Sequence, residues 1–348
     1  MPSSSSAEII IDIHRHLVSP NLLANLATLP NDVFLRENPG KKRSPQKDAP
    51  TIQTSAFNDI DVQVHEQDQA GVTKGLLGNG SLLADIRHDV GSVAQDVAKI
   101  VNDDLAAAVS THPSKLDFLA TVHPFEPGFT KEIDRSLTKL GAKGLTLTSS
   151  YAGRWLDAPT LEPFWEYVQS RDVTIFLHPS INPTWLPNND SYRVQEMMYR
   201  PFDVVTTVIR MVCSGVFDRY PQLKIVIPFT GAGIMDLLGR LDYFHQKDLI
   251  SAPGKDAVTC QRPPSSYIGT NVYTEIGMSF SPIATQKAVQ VFGSDHVLFG
   301  TDTPVAPTGE QLTIVKQLNL SPSEREQILW KNSNELFHLN ISSSAVIP

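Results

Sequence analysis

Short apolar runs rich in β-branched residues alternate with longer amphipathic stretches along almost the whole chain of 348 residues. The runs predicted as strands are 9–13, 72–77, 116–122, 144–147, 173–177, 224–228, 271–276 and 297–300. Strands that alternate with helices favour a parallel sheet, and eight such repeats favour an α/β fold of the (β/α)8 (TIM) barrel type. A doubly wound sheet is the alternative, but no Gly-x-Gly-x-x-Gly pattern follows the first strand. We therefore predict a single barrel domain over residues 1–348.

The amphipathic stretches between the strands predict the helices of this barrel. They cover 90–111, 129–140, 159–170, 202–217, 234–245, 282–291, 309–318 and 322–339. Two segments interrupt the alternation, one at 17–70 after the first strand and one at 182–201 after the fifth. Connections of that length are usually functional lids or mobile surface. We therefore predict a distorted barrel with an insertion or lid at 17–70 and a second candidate cover at 182–201.

The composition excludes several classes of function. The formal net charge of −8 and the isoelectric point near 5.7 argue against general binding to nucleic acids or membrane surfaces. The basic run at 41–47 is then better explained as a solvated loop. No apolar stretch reaches the ~18 residues of a membrane helix, and residues 1–8 show no signal-peptide pattern. Cys213 and Cys260 cannot form a disulfide framework, so we expect a reducing, cytoplasmic location.

Two histidines follow the first predicted strand with a spacing of two residues. Because side chains alternate along a strand, His14 and His16 are expected to point the same way. Two imidazoles that converge on one point can hold a divalent cation. Two half-buried structural histidines at a strand end are the alternative interpretation.

Further candidate ligands stand at the ends of two other predicted strands. His178 follows the fifth strand and Asp302 follows the eighth. Taken alone, a strand-end histidine such as His178 is more often a hydrogen-bonded structural residue, and Asp302 is also compatible with a turn cap. Active sites of (β/α)8 barrels lie at the carboxyl ends of the strands, so these residues, with His14 and His16, are expected to face one mouth. Three imidazoles and one carboxylate suit a single divalent metal ion, with Zn²⁺ preferred and Mn²⁺ as the alternative.

These residues resemble the metal set of the amidohydrolase superfamily, in its aminocarboxymuconate-semialdehyde decarboxylase branch, which includes 6-methylsalicylate and γ-resorcylate decarboxylases. Three further stretches are similar to that branch: Tyr-Ala-Gly-Arg-Trp-Leu-Asp at 151–157, Ser-Gly-Val-Phe-Asp-Arg-Tyr-Pro at 214–221, and the glycine-rich segment 231–242. The resemblance implies non-oxidative loss of CO₂ from a small aromatic or cyclic carboxylate, with Asp302 as the proton donor. It also implies a homodimer in which Arg240 binds substrate carboxylate in the neighbouring subunit.

One position departs from the pattern of the branch. A histidine is expected after the sixth strand, in His-x-Gly-Gly, but Phe229 stands there in Phe-Thr-Gly-Ala-Gly. A phenyl ring neither moves a proton nor ligates a metal. Decarboxylation of an aromatic acid does not require water as a nucleophile, and Phe229 would then pack on the substrate. The alternatives are a metal-dependent hydrolase, hydratase or other lyase, and a barrel without catalysis.

Arg154 and Trp185 are additional candidates for the substrate wall. The alternative for Arg154 is a surface ion pair, and the alternative for Trp185 is a core residue of its loop.

Overall fold

The structure is a computed structural model that describes residues 8–35, 55–88, 90–181, 191–247 and 258–342. Every predicted strand is present in it, although most are shorter than their apolar runs. The eight strands are β1 (Ile11–Arg15), β2 (Lys74–Leu77), β3 (Leu116–Phe118), β4 (Leu145–Thr148), β5 (Ile175–His178), β6 (Ile225–Ile227), β7 (Val272–Glu275) and β8 (Val297–Leu298). A two-stranded antiparallel hairpin, Ser150–Tyr151 with Arg154–Trp155, follows β4.

The strands pair in parallel and in chain order. Strands β1 to β3 form one sheet and β4 to β8 form another. Backbone hydrogen bonds join the two sheets beyond the regular pairing, from Ala120 to Gly144 at 3.0 Å and from His16 to Thr303 at 2.8 Å. These bonds join β3 to β4 and β8 to β1, which confirms the predicted distorted (β/α)8 barrel.

Alternate residues of the strands pack into two separate apolar clusters. The inner cluster fills the barrel and includes Ile11, Ile13 and Phe176, and residues near the C-terminus such as Phe337 pack against it. The outer cluster lies between the strands and the surrounding helices. Strands buried on both faces explain why the sequence shows continuous apolar runs rather than alternation with polar residues.

Helices follow the strands at nearly all of the predicted places. The α-helices are Pro20–Leu26, Ser55–Asn58, Ile60–Ala70, Val93–Thr111, Phe129–Arg135, Glu162–Ser170, Arg200–Cys213, Val216–Arg219, Leu238–Lys247, Pro282–Phe292, Thr308–Gln317, Pro322–Glu326 and Asn332–Leu336. The π-helical turns are Ser136–Leu140, Gln195–Tyr199 and Gln327–Lys331. The 3₁₀ turns are Asn31–Val33, Gly80–Leu83, Pro159–Leu161, Ser191–Arg193, Thr230–Asp236, Pro264–Tyr267 and Ser294–His296. Within the described part of the chain, no helix has both the length and the apolar character required to cross a bilayer.

The described part of segment 17–70 contains three α-helices that the sequence patterns did not predict, Pro20–Leu26, Ser55–Asn58 and Ile60–Ala70. Helix Ile60–Ala70 is capped by Asp59, whose side chain accepts from two backbone N–H groups of the first turn. Its Gln63 side chain donates to the carbonyl of His16 at 2.6 Å, so the helix backs β1 and serves as the first helix of the barrel. The role of 17–70 as a lid stays a prediction, because residues 36–54 lie outside the described residues.

Candidate active site

A β-bulge in β1 brings His14 and His16 to the inside of the barrel. Ile11 and Ile13 belong to the inner cluster and Ile10 to the outer one, so strict alternation would turn both histidines outward. The pairing of β1 with β2 contains one extra residue between Asp12 and Arg15. That residue reverses the alternation, and the His14 ring lies 4.6 Å from the ring of Phe176, a member of the inner cluster.

The four candidate ligands from three strand ends meet at the barrel mouth. One nitrogen or oxygen atom from each of His14, His16, His178 and Asp302 lies within 4.8 Å of every other. Asp302 Oδ1 is 3.0 Å from His16 Nε2 and 3.4 Å from His14 Nε2. The imidazole of His178 approaches those of His16 and His14 with ring centroids 4.9 and 5.4 Å apart.

Hydrogen bonds orient the three imidazoles in the way that a metal site requires. The Nδ1 atom lies 3.3 Å from Glu275 Oε1 in His14, 2.7 Å from the Gly78 carbonyl in His16, and 2.8 Å from the Pro179 carbonyl in His178. An Nδ1–H that donates to these oxygens leaves the lone pair of Nε2 free for a cation. His14 Nε2 is buried and has no hydrogen-bond partner among the described residues. The residues present therefore fit a divalent metal ion.

The charges of the site favour the metal-binding forms of His178 and Asp302, whereas in the absence of a cation they favour a proton on His14. Burial lowers the pKa of His14, but Asp302 and Glu275 outweigh burial and leave that pKa above its ordinary value. Burial together with His16 and His14 holds the pKa of His178 well below its ordinary value. Burial raises the pKa of Asp302, but the three histidines outweigh it and bring that pKa to about 2. An ionised carboxylate and a neutral imidazole are the forms that bind metals.

Glu275 was missed by the sequence interpretation. It ends β7, is fully buried, and contacts His14 directly. The signal was present, because Glu275 is the one charged residue in the predicted strand 271–276 and stands near its carboxyl end. A carboxylate that contacts a candidate ligand, rather than acting as one, has no spacing pattern of its own.

Phe229 lies beside this centre, at the first turn after β6. Its backbone has φ 62° and ψ 41°, and its N–H donates to Glu275 Oε1 at 3.1 Å. The ring centroid is 6.5 Å from that of His14, and the side chain is half-buried. A side chain at this position therefore faces the edge of the metal centre.

The remaining candidates lie outside the cluster. Arg154, in the hairpin after β4, pairs with Glu126 at 3.1 Å and stacks over the Phe125 ring at 4.3 Å. Arg240 is exposed on helix Leu238–Lys247, and its guanidinium stacks over Phe244. Trp185 lies outside the described residues.

Comparison with known proteins agrees with this architecture. The curated γ-resorcylate decarboxylase of a Polaromonas species is 28% identical over 309 residues, which cover 85% of this chain and 92% of that protein. The 2-amino-3-carboxymuconate-6-semialdehyde decarboxylase of Dictyostelium discoideum is 26% identical over 259 residues, which cover 71% of this chain and 68% of that one. The crystal structure of a 5-carboxyvanillate decarboxylase from Novosphingobium aromaticivorans, which holds manganese and a hydroxynitrobenzoic acid, superposes with a TM-score of 0.83 at 21% identity. That superposition covers 97% of this chain and 99% of the other. A family model described as amidohydrolase matches residues 11–339, and the chain therefore belongs to the amidohydrolase family.

Proposed function

We propose that this chain is a metal-dependent, non-oxidative decarboxylase of a hydroxylated aromatic or unsaturated cyclic carboxylic acid. The observation that carries the proposal is the convergence of four ligand atoms within 4.8 Å, in a chain whose curated relatives include decarboxylases of such acids. The Asp302 carboxylate belongs to this cluster and can also handle a proton. The same carboxylate can thus bind the metal and transfer a proton.

We assign the metal to His14, His16 and His178 through Nε2 and to Asp302 through Oδ1. A bound divalent cation would act there as a Lewis acid toward the substrate carboxylate and an adjacent hydroxyl or carbonyl oxygen. Zn²⁺ and Mn²⁺ are both proposed, because imidazole and carboxylate donors suit either ion and one solved relative holds manganese. Elemental analysis of the purified protein should find about one divalent ion per chain.

Asp302 is assigned as the proton donor to the ring carbon that loses CO₂. Its Oδ1 faces the histidines, so Oδ2 is the oxygen that we assign to the proton. With a pKa of about 2, the carboxylate is ionised at neutral pH and must first accept a proton, for which we propose the substrate hydroxyl next to the carboxylate. The electron pair of the broken carbon–carbon bond stays on the ring carbon and receives that proton.

Phe229 is proposed to form the wall against the substrate ring. A phenyl ring offers edge-to-face or offset packing to an aromatic substrate, and it cannot activate water. Its place beside His14 therefore supports decarboxylation over hydrolysis. Arg154 and Trp185 are kept as proposed contributors to the same wall, although the charge of Arg154 is already paired with Glu126.

We also propose a homodimer in which Arg240 of one subunit binds carboxylate in the site of the other. Arg240 is exposed, and its helix packs against the turn Thr230–Asp236, which in turn packs against helix Arg200–Cys213. Exposed apolar side chains lie on these elements or in the turns next to them. They are Tyr192, Met197, Phe202, Leu237 and Tyr243. Such side chains are typical of a surface that a second subunit covers.

A cytoplasmic location is proposed from the state of the cysteines. Cys213 and Cys260 are both free thiols. Burial raises the pKa of Cys213, and burial together with nearby Cys213 raises that of Cys260 to about 11. Such thiols are unreactive packing groups, and neither holds the fold together as a disulfide.

The proposed reaction is tested by CO₂ release from a panel of hydroxybenzoates by the metal-loaded protein. Asp302→Asn should abolish the release, because the amide cannot carry the proton. Incorporation of solvent ¹⁸O into the organic product would contradict decarboxylation and indicate a hydrolase or hydratase. CO₂ release by Phe229→His, with none by the natural chain, would likewise show that decarboxylation is not the natural activity.

The shared site is tested by mixing two inactive variants. Arg240→Ala and Asp302→Asn homodimers should each lack activity, whereas a mixed dimer contains one site with both residues intact. Random reassembly of equal amounts should restore about a quarter of the natural activity. Inactive mixtures of variants that do exchange subunits would place Arg240 outside the neighbouring site.

A further inference from the structure

Glu275 holds three N–H donors from three parts of the active site. Its Oε1 lies 3.3 Å from His14 Nδ1 and 3.1 Å from the backbone nitrogen of Phe229. Its Oε2 accepts from the backbone N–H of Gly277. The carboxylate is fully buried, so these contacts replace the water that would otherwise solvate its charge.

We propose that Glu275 is a positioning residue that couples the metal ligand His14 to the backbone of Phe229. The inference rests on the metal site of the proposed function, and it extends that site to a residue that touches neither the metal nor the substrate. One carboxylate oxygen serves both donors. A displacement of that oxygen therefore changes the orientation of the imidazole and the position of the phenyl wall together.

The chemistry of both contacts supports this role. A carboxylate that accepts from Nδ1 fixes the tautomer of a histidine and makes Nε2 a stronger ligand. It also supplies a second negative charge near the cation, in addition to that of Asp302. Phe229 has a φ of 62°, a left-handed conformation that costs about 1 kcal/mol or more for a residue with a Cβ. The hydrogen bond from its amide to Glu275 helps to offset that cost.

Two glycines, Gly277 and Gly300, lie so close to the Glu275 carboxylate that neither position has room for a side chain. A Cβ added at Gly277 would lie 2.6 Å from Glu275 Oε2, and one added at Gly300 would lie 2.7 Å from the same oxygen. The backbone of Gly300 does not require glycine, since its φ is not in the left-handed region. Its missing side chain is thus explained by the room that the carboxylate needs, and Gly300→Ala becomes a second way to displace Glu275.

Metal affinity is the first test, with Mn²⁺ alone as the probe and a chromophoric chelator as the competitor. Glutamine has one acceptor oxygen for three donors, so Glu275→Gln should weaken Mn²⁺ binding by about 10- to 100-fold. Gly300→Ala should weaken it in the same direction with no change of charge. Glu132→Gln is the matched control, because Glu132 is a buried carboxylate that bonds to Asn102 and Arg135 instead of the site.

Hydrogen exchange tests the coupling to Phe229. Mn²⁺ binding should slow amide exchange in the segment 229–233 by about tenfold in the natural chain. The slowing should disappear in Glu275→Gln at saturating Mn²⁺, where the site is filled but the shared carboxylate is gone. Exchange that slows equally in both proteins would overturn the coupling.

Unchanged Mn²⁺ affinity in Glu275→Gln, or a loss no greater than that of Glu132→Gln, would overturn the positioning role. If Glu275→Gln fails to fold, the Mn²⁺ affinity of Gly300→Ala tests the positioning role instead. CO₂ release is measured separately. A natural chain that binds Mn²⁺ without decarboxylating any hydroxybenzoate would contradict the proposed function and leave the test of Glu275 valid.

Discussion

The buried imidazole of His123 should make the stability of this protein depend on pH. His123 follows β3 and is fully buried, and within the described part of the chain neither ring nitrogen has a hydrogen-bond partner. Its ring packs against Tyr151 at 4.8 Å and Phe125 at 6.3 Å. Burial, with the nearby charges of Arg154 and His88, lowers its pKa to about 3. The folded protein therefore keeps this histidine neutral at ordinary pH.

The magnitude follows from the difference between the folded and unfolded states. The unfolded chain binds a proton at His123 below a pKa of 6.5, whereas the folded chain does not until about 3. Stability from this group is therefore fully present above pH 6.5 and is lost as the pH falls toward 3. The free energy of unfolding should fall by about 1.4 kcal/mol per pH unit in this window, or about 2 kcal/mol between pH 6.5 and about pH 5.

His123→Leu removes this contribution and isolates it. The free energy of unfolding of both proteins is measured with urea, in the presence of a chelator that excludes metal binding. From about pH 7.5 to 5, the free energy of unfolding of the variant should rise by about 2 kcal/mol relative to that of the natural chain. The packing change adds a constant offset that does not depend on pH. His65→Leu, on the exposed face of helix Ile60–Ala70, should show no such trend. A His123→Leu difference that stays flat with pH would refute the reasoning.

Further predictions concern the metal and the backbone. A divalent ion at about 1,000 times its Kd should stabilise the fold by about 4 kcal/mol, so a chelator should lower the Tm of the natural chain but not that of His14→Ala. Gly269→Ala should destabilise by about 2–3 kcal/mol, since its Cβ would lie 2.5 Å from the Phe292 carbonyl oxygen. Gly71→Ala, at the same φ of 76° with open space around it, should cost only about 1 kcal/mol in urea unfolding.

A chelator that lowers the Tm of the natural chain and of His14→Ala equally would mean that the stabilising ion binds elsewhere. Equal losses in Gly269→Ala and Gly71→Ala would mean that the left-handed backbone alone, and not the contact with Phe292, sets the effect.

The barrel and the grouping of four candidate metal ligands at its mouth could be predicted from the sequence because each depends on local patterns. Each buried strand requires a short apolar, β-branched run, so the number and order of the strands can be read from the sequence. Parallel strands place their carboxyl ends at one face, so His14, His16, His178 and Asp302 could be assigned to one mouth. Helix Ile60–Ala70 was missed because its apolar face is weak: its buried residues include Gln63 and Gln67.

Only the tertiary structure decided how these residues are arranged. The bulge in β1 turns His14 and His16 inward. Between the pairs Asp12–Gly75 and Arg15–Leu77, strand β1 has two residues where β2 has one. The contacts of Glu275 with His14 and Phe229 join residues from β7, β1 and the turn after β6. The sequence determined which strand ends carry the polar side chains, since apolar runs and the residues that follow them are local properties. Their distances and protonation states depend on burial and on charges brought together from distant parts of the chain, which no local pattern records.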